Sequence, residues 1–283
     1  MTSSWVYSSR YHFARGDCGM KQSPHQNLRS LFDTSITVNH ISEPLNTCHI
    51  EDHVQHAKRV MEKFNFDCLG VEENGKIAGY VVYEELKDGP VRSYVRSFCT
   101  GEIVSEHTSL IYTLNLFREH KRIFVLEENR VTKIVTPADL QKPPMQLLLY
   151  GLVSLVEMYL VKLIKEYLPD NAWIPYISLD RLKSAEKIFC LRKDMDAEID
   201  LVDCLQICDK REIVKKHKPL FDLFHFESKN KFDSYLRALE DLRDHLAHAQ
   251  EYMNIFTTEE IIALVEQTDD FLIQCEQAVE AIS

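Results

Sequence analysis

An internal repeat constrains the fold of this 283-residue chain more than any other feature. The stretch CLGVEENGKIAGYVVYEEL, which begins at Cys68, predicts a strand, a turn at Asn74 and Gly75, a second strand and the start of a helix. The stretch RIFVLEENRVTKIVTPADL, which begins 54 positions later at Arg122, repeats that order. Because each half is too small to bury its own faces, we expect the halves to pack about a pseudo-twofold axis with two related clefts between them.

The region 36–142, which contains the repeat, resembles a tandem CBS-domain pair, or Bateman module. The ligand motif of that family runs Gly, two hydrophobic residues, Thr or Ser, two variable residues and Asp. The second repeat keeps Thr136 and Asp139 but has Lys133 in place of the glycine, whereas the first keeps Gly79, loses the hydroxyl and ends in Glu85. The resemblance implies that the second cleft binds an adenine nucleotide (ATP, ADP or AMP) as a regulatory ligand.

The residues of the second motif suit such a ligand. A Thr136 hydroxyl at a helix start can donate to a phosphate that also meets free backbone amides, and Asp139 can accept from both ribose hydroxyls. Adenine would stack on the neighbouring strand, at Ile103 or Val104. An alternative remains open, because Thr136, Pro137 and Asp139 also form the pattern of a helix N-cap, a proline at the first helical position and an acidic third residue.

A second motif, LRDHLAHA at 242–249, sets Arg243, Asp244 and His248 in one predicted helix. Histidine can move protons near neutral pH, and arginine offers a fork of donors that fits phosphate oxygens. Asp244 and His248, at positions i and i+4, share a helix face, so that Asp244 could fix the imidazole tautomer. Arg243 and His248 are separated by roughly 140° around the helix, so a complete site needs a second copy across a dimer interface. The alternative is a charged helix that only packs against a core.

This pattern resembles the signature of HEPN domains: an Arg, a polar residue directly after it, and a His after four to six intervening residues. Here four residues separate Arg243 from His248, and an upstream helix carries one acidic residue, Glu157. The resemblance implies a dimeric helical bundle that cleaves RNA without metal, leaves 2',3'-cyclic phosphate and 5'-hydroxyl ends, and acts as a toxin or defence effector. Some members have lost catalysis, so a non-catalytic adenine-nucleotide sensor that dimerises or docks a partner is the alternative.

The sequence thus predicts an α+β protein in three parts: an N-terminal arm at 1–35, irregular and partly disordered, the tandem CBS α/β module at 36–142, and an all-α HEPN-like bundle at 143–283. Pro143 and Pro144 mark the hinge. Helices are expected at 145–168, from about Ser178, at 201–216, from about Asn230, and at 258–282, where Thr257 followed by Glu260 makes a start signal. No Gly-rich phosphate loop, nucleophile elbow or paired-carboxylate hydrolase pattern occurs in the sequence.

The formal net charge of -11 disfavours general affinity for nucleic acid, which comes from Lys and Arg neutralising phosphates. An RNA site must therefore be local, with basic residues gathered near it, or else the basic stretch KREIVKKHK is simply a solvated helix face. The Lys and Arg residues of this stretch are Lys210, Arg211, Lys215, Lys216 and Lys218.

The eight cysteines form no paired framework. Cys204 and Cys208 could be half of a metal site on one helix, but no second half follows, so we expect reduced thiols, no metal and a cytoplasmic protein. The N-terminus lacks the apolar segment of a signal peptide. The apolar stretch 145–168 is interrupted by Glu157 and Lys162, so it fails the test of 18 uncharged residues and is predicted to be a central bundle or dimer helix, not a membrane span.

Overall fold

The structure, a computed structural model, describes residues 23–193, 198–248 and 250–282. Within these residues the chain has an α+β fold. Its strands are β1 Glu43–Pro44, β2 Thr47–His49, β3 Cys68–Glu73, β4 Lys76–Val82, β5 Ile103–Ser105, β6 Ile123–Glu127 and β7 Arg130–Val135. Its α-helices are α1 Pro24–Thr34, α2 Val54–Phe64, α3 Leu110–Leu116, α4 Pro143–Tyr167, α5 Leu179–Lys193, α6 Ile207–Lys216, α7 Lys218–Phe221, α8 Lys229–Ala247 and α9 Thr258–Glu280.

The two repeats have the same topology, which confirms the predicted internal repeat. In each repeat a short strand runs parallel to the next strand, which forms an antiparallel hairpin with the third: β2, β3 and β4 in the first, β5, β6 and β7 in the second. Gly70 pairs with Tyr80 and Phe124 pairs with Ile134, so that each member of the second pair stands 54 positions after its counterpart. Both hairpins also shift register at the same place, after Val71 and after Val125.

Each hairpin turns through two residues with positive φ, as the predicted turn at Asn74 and Gly75 requires. These residues have φ values of 52° and 72°, and Glu128 and Asn129 of the second hairpin have 47° and 64°. Two-residue turns of this kind match the right-handed twist of the strands that they join. Asn and Gly tolerate such backbone angles, and Glu128 shows that the repeat imposes them on a less suited residue.

β1 breaks the symmetry of the two sheets. It pairs antiparallel with β7, so the second sheet has the order β1-β7-β6-β5, and the first has the order β2-β3-β4. In the first repeat the corresponding place beside β4 is taken by an isolated bridge between Tyr80 and Arg96. β1 therefore reaches across from the start of the first repeat to the edge of the second.

α4 is the central helix of the C-terminal part, as predicted, and packs against α1, α6, α8 and α9. An 18-residue window with up to two charged residues within α4 has a mean hydropathy of 1.9, so by length and composition alone this helix could span a membrane. Half of that window is buried inside the protein, and the core helix of a soluble protein can pass the same test of length and composition. The hydrophobic core around α4 runs without a break into the second repeat, where it includes Val104, Leu110 and Val135.

The ends of two helices bear on the predictions. Thr257 caps α9, accepting from the Glu260 amide at 3.2 Å, and Glu260 accepts from the Thr257 amide at 2.8 Å, so the predicted start signal is confirmed. The prediction of an irregular arm at 1–35 fails for Pro24–Thr34, because this segment is the helix α1. Arg29 of α1 forms an ion pair with Asp269 of α9, which ties the helix to the bundle. The part of the predicted arm at 1–22 lies outside the described residues.

Cys204 and Cys208 do not lie on one helix, because Cys204 ends the 3-10 turn Leu201–Cys204 and Cys208 lies in α6. The seven cysteines in the described part of the chain are all free thiols, and Cys18 lies outside it. Four of the seven are buried: Cys48, Cys68, Cys204 and Cys275. Among residues 23–193, 198–248 and 250–282, no three His, Cys, Asp or Glu side chains are grouped in a way that could hold a metal ion.

Candidate functional site

A cleft of about 450 Å³ opens between the two repeats. Phe66, Asp67 and Cys68 line it from the first repeat, where α2 leads into β3. The second repeat contributes β7 and the turn that follows it, and the segment around β1 forms a third wall. The wall from the second repeat contains Ile134, Thr136 and Asp139. The wall around β1 contains Glu43, Pro44, Leu45 and Asn46.

The predicted ligand residues Thr136 and Asp139 both lie in this cleft, but they also form a cap. Thr136 precedes the 3-10 turn Pro137–Gln141, and Asp139 accepts from the Thr136 amide at 2.7 Å and from its hydroxyl at 3.0 Å. Lys142 Nζ lies 2.9 Å from the other carboxylate oxygen of Asp139. A carboxylate has about four acceptor positions, so three are in use and one remains.

Ile103 and Val104, the predicted stacking residues, do not line this cleft. They belong to β5, which lies at the opposite edge of the sheet from β1. Val104 is buried in the main core, and Ile103 packs in the cluster between the sheets. Pro44 and Leu45 provide the apolar wall instead. The sequence does not predict this wall, because a strand of two residues, such as β1, shows no periodicity.

Two basic residues border the cleft, and both are held by its carboxylates. Lys142 binds Glu43 and Asp139 and donates to the Ile41 carbonyl at 2.6 Å. Although burial disfavours its charged form, the hydrogen bonds to Glu43 and Asp139 raise the pKa of Lys142. Arg122, which is buried, binds Asp67 with its Nη2 atom 2.8 Å from the carboxylate.

The corresponding place in the first repeat is filled by aromatic side chains. Tyr80 stacks on Phe98 with ring centroids 5.6 Å apart, and both rings lie 4.7 Å from that of Phe124. Glu85, the counterpart of Asp139 in the motif, accepts from Arg96 Nε at 2.7 Å. Tyr80 and Glu85 of the first motif therefore both contact other side chains of the protein.

The residues of the second motif lie at the end of α8. Arg243 binds Asp244, with Nη2 2.6 Å from the carboxylate, and its side chain is 26% exposed. His248 is exposed and forms the C-cap of the helix, and its amide donates to the Asp244 carbonyl at 3.2 Å. The Asp244 carboxylate therefore binds the guanidinium of Arg243. Within the described residues the Asp244 carboxylate accepts no hydrogen bond from the imidazole of His248, which it is predicted to orient.

Glu157 of α4 is brought to the same place. Its carboxylate lies 3.8 Å from Arg243 Nη1 and 2.6 Å from Lys210 Nζ. Burial opposes the charge of Arg243, but Asp244 and Glu157 raise its pKa. Two carboxylates thus already surround the predicted phosphate-binding guanidinium in a single chain.

The basic stretch of α6 is neither a solvated face nor a free cationic patch. Lys210 and Arg211 are buried, Lys210 against Glu157 and Arg211 against Glu240 at 2.7 Å. Both sequence-based interpretations are therefore wrong for these two residues. The remaining residues are more exposed: Lys215 pairs with Glu212 and Asp233, Lys216 pairs with Glu212, and Lys218 opens α7.

Solved structures similar to this chain are CBS-domain pair proteins that match its N-terminal part. A CBS domain-containing protein of unknown function from Bacillus anthracis str. Ames Ancestor is 16% identical over 38% of this chain and 91% of its own, with a TM-score of 0.34. A CBS domain pair/ACT domain protein from Thermotoga maritima is 20% identical over 36% and 91%, with a TM-score of 0.32. A CBS domain pair solved with 5'-methylthioadenosine and S-adenosyl-L-methionine is 19% identical over 37% and 95%, with a TM-score of 0.33. No family model and no curated protein matches the chain.

Proposed function

We propose that the protein senses an adenosine-containing ligand and that the cleft between its repeats is the binding site. The observation that carries this proposal is that Thr136 and Asp139 of the second repeat line a cleft of about 450 Å³ together with Phe66 of the first repeat. A cleft of this size, with apolar walls and a few polar groups, is typical of small-molecule sites.

The lining supplies contacts for each part of a nucleoside. Leu45, Phe66 and Ile134 offer apolar surface to a base. The open acceptor position of Asp139 is suited to a ribose hydroxyl, since charged acceptors make the stronger hydrogen bonds. Asn46, at the cleft wall, can both donate and accept, as recognition of a base edge requires.

Ligand binding is tested by calorimetry with the full chain, using adenosine and ATP as probes. Asp139→Asn should weaken binding about tenfold, because a neutral amide accepts less strongly from ribose, which corresponds to about 1.4 kcal/mol. The asparagine oxygen can still accept from the Thr136 amide, so the variant should fold. Asp222→Asn, an exposed change near α7, is the matched control. Equal binding by all three proteins would place the ligand elsewhere, and no binding by the wild type would refute the site.

A second candidate function is metal-independent cleavage of RNA by a dimer. The exposure of His248 at the end of α8 supports it, because a general base must reach the 2'-hydroxyl. In this proposal His248 accepts that proton, Arg243 holds the phosphate and Asp244 orients the guanidinium that it binds. The partner's copy of the motif would complete the site, because Arg243 and His248 of one chain are separated by roughly 140° around the helix.

Self-association is supported by an exposed apolar face on α4. Leu147, Tyr150 and Met158 are 61%, 49% and 44% exposed and follow one side of the helix. Light scattering should show at least a dimer for the wild type and a monomer for Tyr150→Glu. Tyr112→Glu, at a tyrosine of α3 that is 58% exposed, is the control and should leave the mass unchanged.

Cleavage is tested with RNA in EDTA, with and without adenosine or ATP. We expect 2',3'-cyclic phosphate and 5'-hydroxyl ends from the wild type and from His245→Ala, and none from His248→Ala. His245 is the matched control, because it lies one turn earlier, where its ring bonds the Asp241 carbonyl at 2.9 Å. Equal activity of the two variants would show that His248 is not the base. Inactivity of the wild type under all conditions would favour the alternative, a non-catalytic sensor whose helical part dimerises or docks a partner.

A further inference from the structure

The charge of the cleft bears on which adenosine compound it selects. Among the residues that the structure describes, three carboxylates line it, those of Glu43, Asp67 and Asp139, and no basic residue does. The two cations at its border, Lys142 and Arg122, are bound to these same carboxylates. One carboxylate charge is thus in excess before any ligand enters.

The turn after β7 is also not free to receive a phosphate. A phosphate at this place would need unoccupied backbone amides, as at the start of a long helix. The amide and the hydroxyl of Thr136 already donate to Asp139. The turn Pro137–Gln141 is a 3-10 turn of five residues, so it adds little dipole of its own.

We propose that the cleft selects adenosine compounds without phosphate and binds them more tightly when the 5' substituent carries a positive charge. This inference rests on the proposed function of the cleft. The apolar wall and Asp139 recognise the nucleoside, which every adenosine compound shares. The excess carboxylate charge repels a 5'-phosphate and attracts a 5' cation.

Asp67 is the residue that should set this preference. Its side chain is 64% exposed and holds the buried Arg122. Replacing Asp67 by Asn removes a negative charge and frees the Arg122 guanidinium, whose fork of donors fits a phosphate. The same change leaves the apolar wall and Asp139 untouched, so adenosine itself should be little affected.

The test is calorimetry of the full chain with adenosine, 5'-methylthioadenosine, S-adenosylmethionine, AMP and ATP, all without magnesium. At low ionic strength we expect AMP and ATP to bind at least about tenfold more weakly than adenosine, and S-adenosylmethionine to bind most tightly. A higher salt concentration should bring the affinities for AMP, ATP and S-adenosylmethionine closer to the affinity for adenosine, because salt screens charge. Asp67→Asn should strengthen AMP binding about fivefold to tenfold and change adenosine binding less than about twofold, whereas Asp222→Asn should alter neither.

The outcomes separate this inference from the function on which it rests. ATP or AMP binding more tightly than adenosine would overturn the inference and leave an adenosine site in place. A preference for adenosine that is insensitive to salt and to Asp67→Asn would also overturn it, because charge would not be the cause. Failure of all five compounds to bind would refute the proposed function and the inference together.

Discussion

The hydroxyl of Tyr252 donates a hydrogen bond to the backbone carbonyl of Leu140 inside the protein. Tyr252 is fully buried and follows His248 by four residues, whereas Leu140 is the neighbour of Asp139. Burial raises the pKa of Tyr252, so the phenol stays protonated and able to donate. This bond joins the turn at the cleft between the repeats to the segment that follows α8.

Tyr252→Phe should lower the free energy of unfolding by about 1–3 kcal/mol, because it leaves the buried Leu140 carbonyl without its donor. Urea unfolding followed by circular dichroism measures the change. Tyr112→Phe removes a hydroxyl from a side chain that is 58% exposed and should change stability by less than about 0.5 kcal/mol. A similar small change in both variants would show that the buried bond contributes little.

The continuous core is a second physical connection between the second repeat and the helical part. The core of the second repeat and that of the helical part form one cluster. A ligand can shift the equilibrium between two arrangements of this core only if it binds them with different affinities. If Tyr252 transmits the shift, any effect of adenosine on RNA cleavage or dimerisation should shrink in Tyr252→Phe.

The ion pair between Lys210 and Glu157 should be worth more than a surface pair, since the side chains are 4% and 23% exposed. Lys210→Met should lower the free energy of unfolding by about 1–3 kcal/mol, with Arg243 compensating for the lost charge only in part. The double variant Glu157→Gln/Lys210→Met should recover a share of this loss, giving a coupling free energy above about 1 kcal/mol. Lys162→Met, at an exposed lysine of α4, is the control. A coupling free energy of zero would mean that the two side chains act independently.

Acid should lower the free energy of unfolding, because Asp233 becomes protonated at low pH. Burial alone would raise the pKa of Asp233, but hydrogen bonds from Arg237 and Lys215 lower it to about 2, against roughly 3.9 in an unfolded chain. A depressed pKa contributes stability that is fully present above about pH 4 and is lost as the pH falls toward 2. Asp233→Asn should therefore lower the free energy of unfolding by about 1–2 kcal/mol at pH 7 and by much less at pH 2.

The control for this pH dependence is Asp241→Asn, an exposed carboxylate on the same helix. Its unfolding free energy should follow that of the wild type at every pH. If Asp233→Asn and the wild type lost stability in parallel between pH 4 and pH 2, the hydrogen bonds of Asp233 would not be the cause.

Local signals in the sequence predicted local structure well. The Asn74-Gly75 turn, the 54-residue register of the hairpins and the Thr257 cap each depend on residues close in the chain. The cap of α1 was also available: Ser23, Pro24 and Gln26 form a capping box with proline at the first position. That signal was missed because the segment around it is polar.

Contacts between distant segments could not be predicted in the same way. The burial of Lys210 depends on Glu157, 53 positions earlier, and nothing near Lys210 distinguishes it from the more exposed Lys216. The pairing of Asp244 with Arg243 was likewise hidden, because helical spacing favoured His248. The wall of the cleft at Leu45 depends on β1 crossing to the second sheet, which is a property of the whole fold.

Gly79 should be irreplaceable in β4, although it follows no turn. A Cβ atom at this position would lie 2.3 Å from the backbone oxygen of Arg96. The backbone fixes the position of a Cβ atom, so side-chain rotation cannot relieve this clash. Gly79→Ala should therefore lower the free energy of unfolding by about 1–3 kcal/mol. The sign of the change in unfolding free energy tests the clash, because alanine in a strand interior would otherwise stabilise by roughly 0.5–1 kcal/mol relative to glycine. Lys76→Ala, at the exposed start of the same strand, is the control, and urea unfolding of a Gly79→Ala protein as stable as the wild type would contradict this packing.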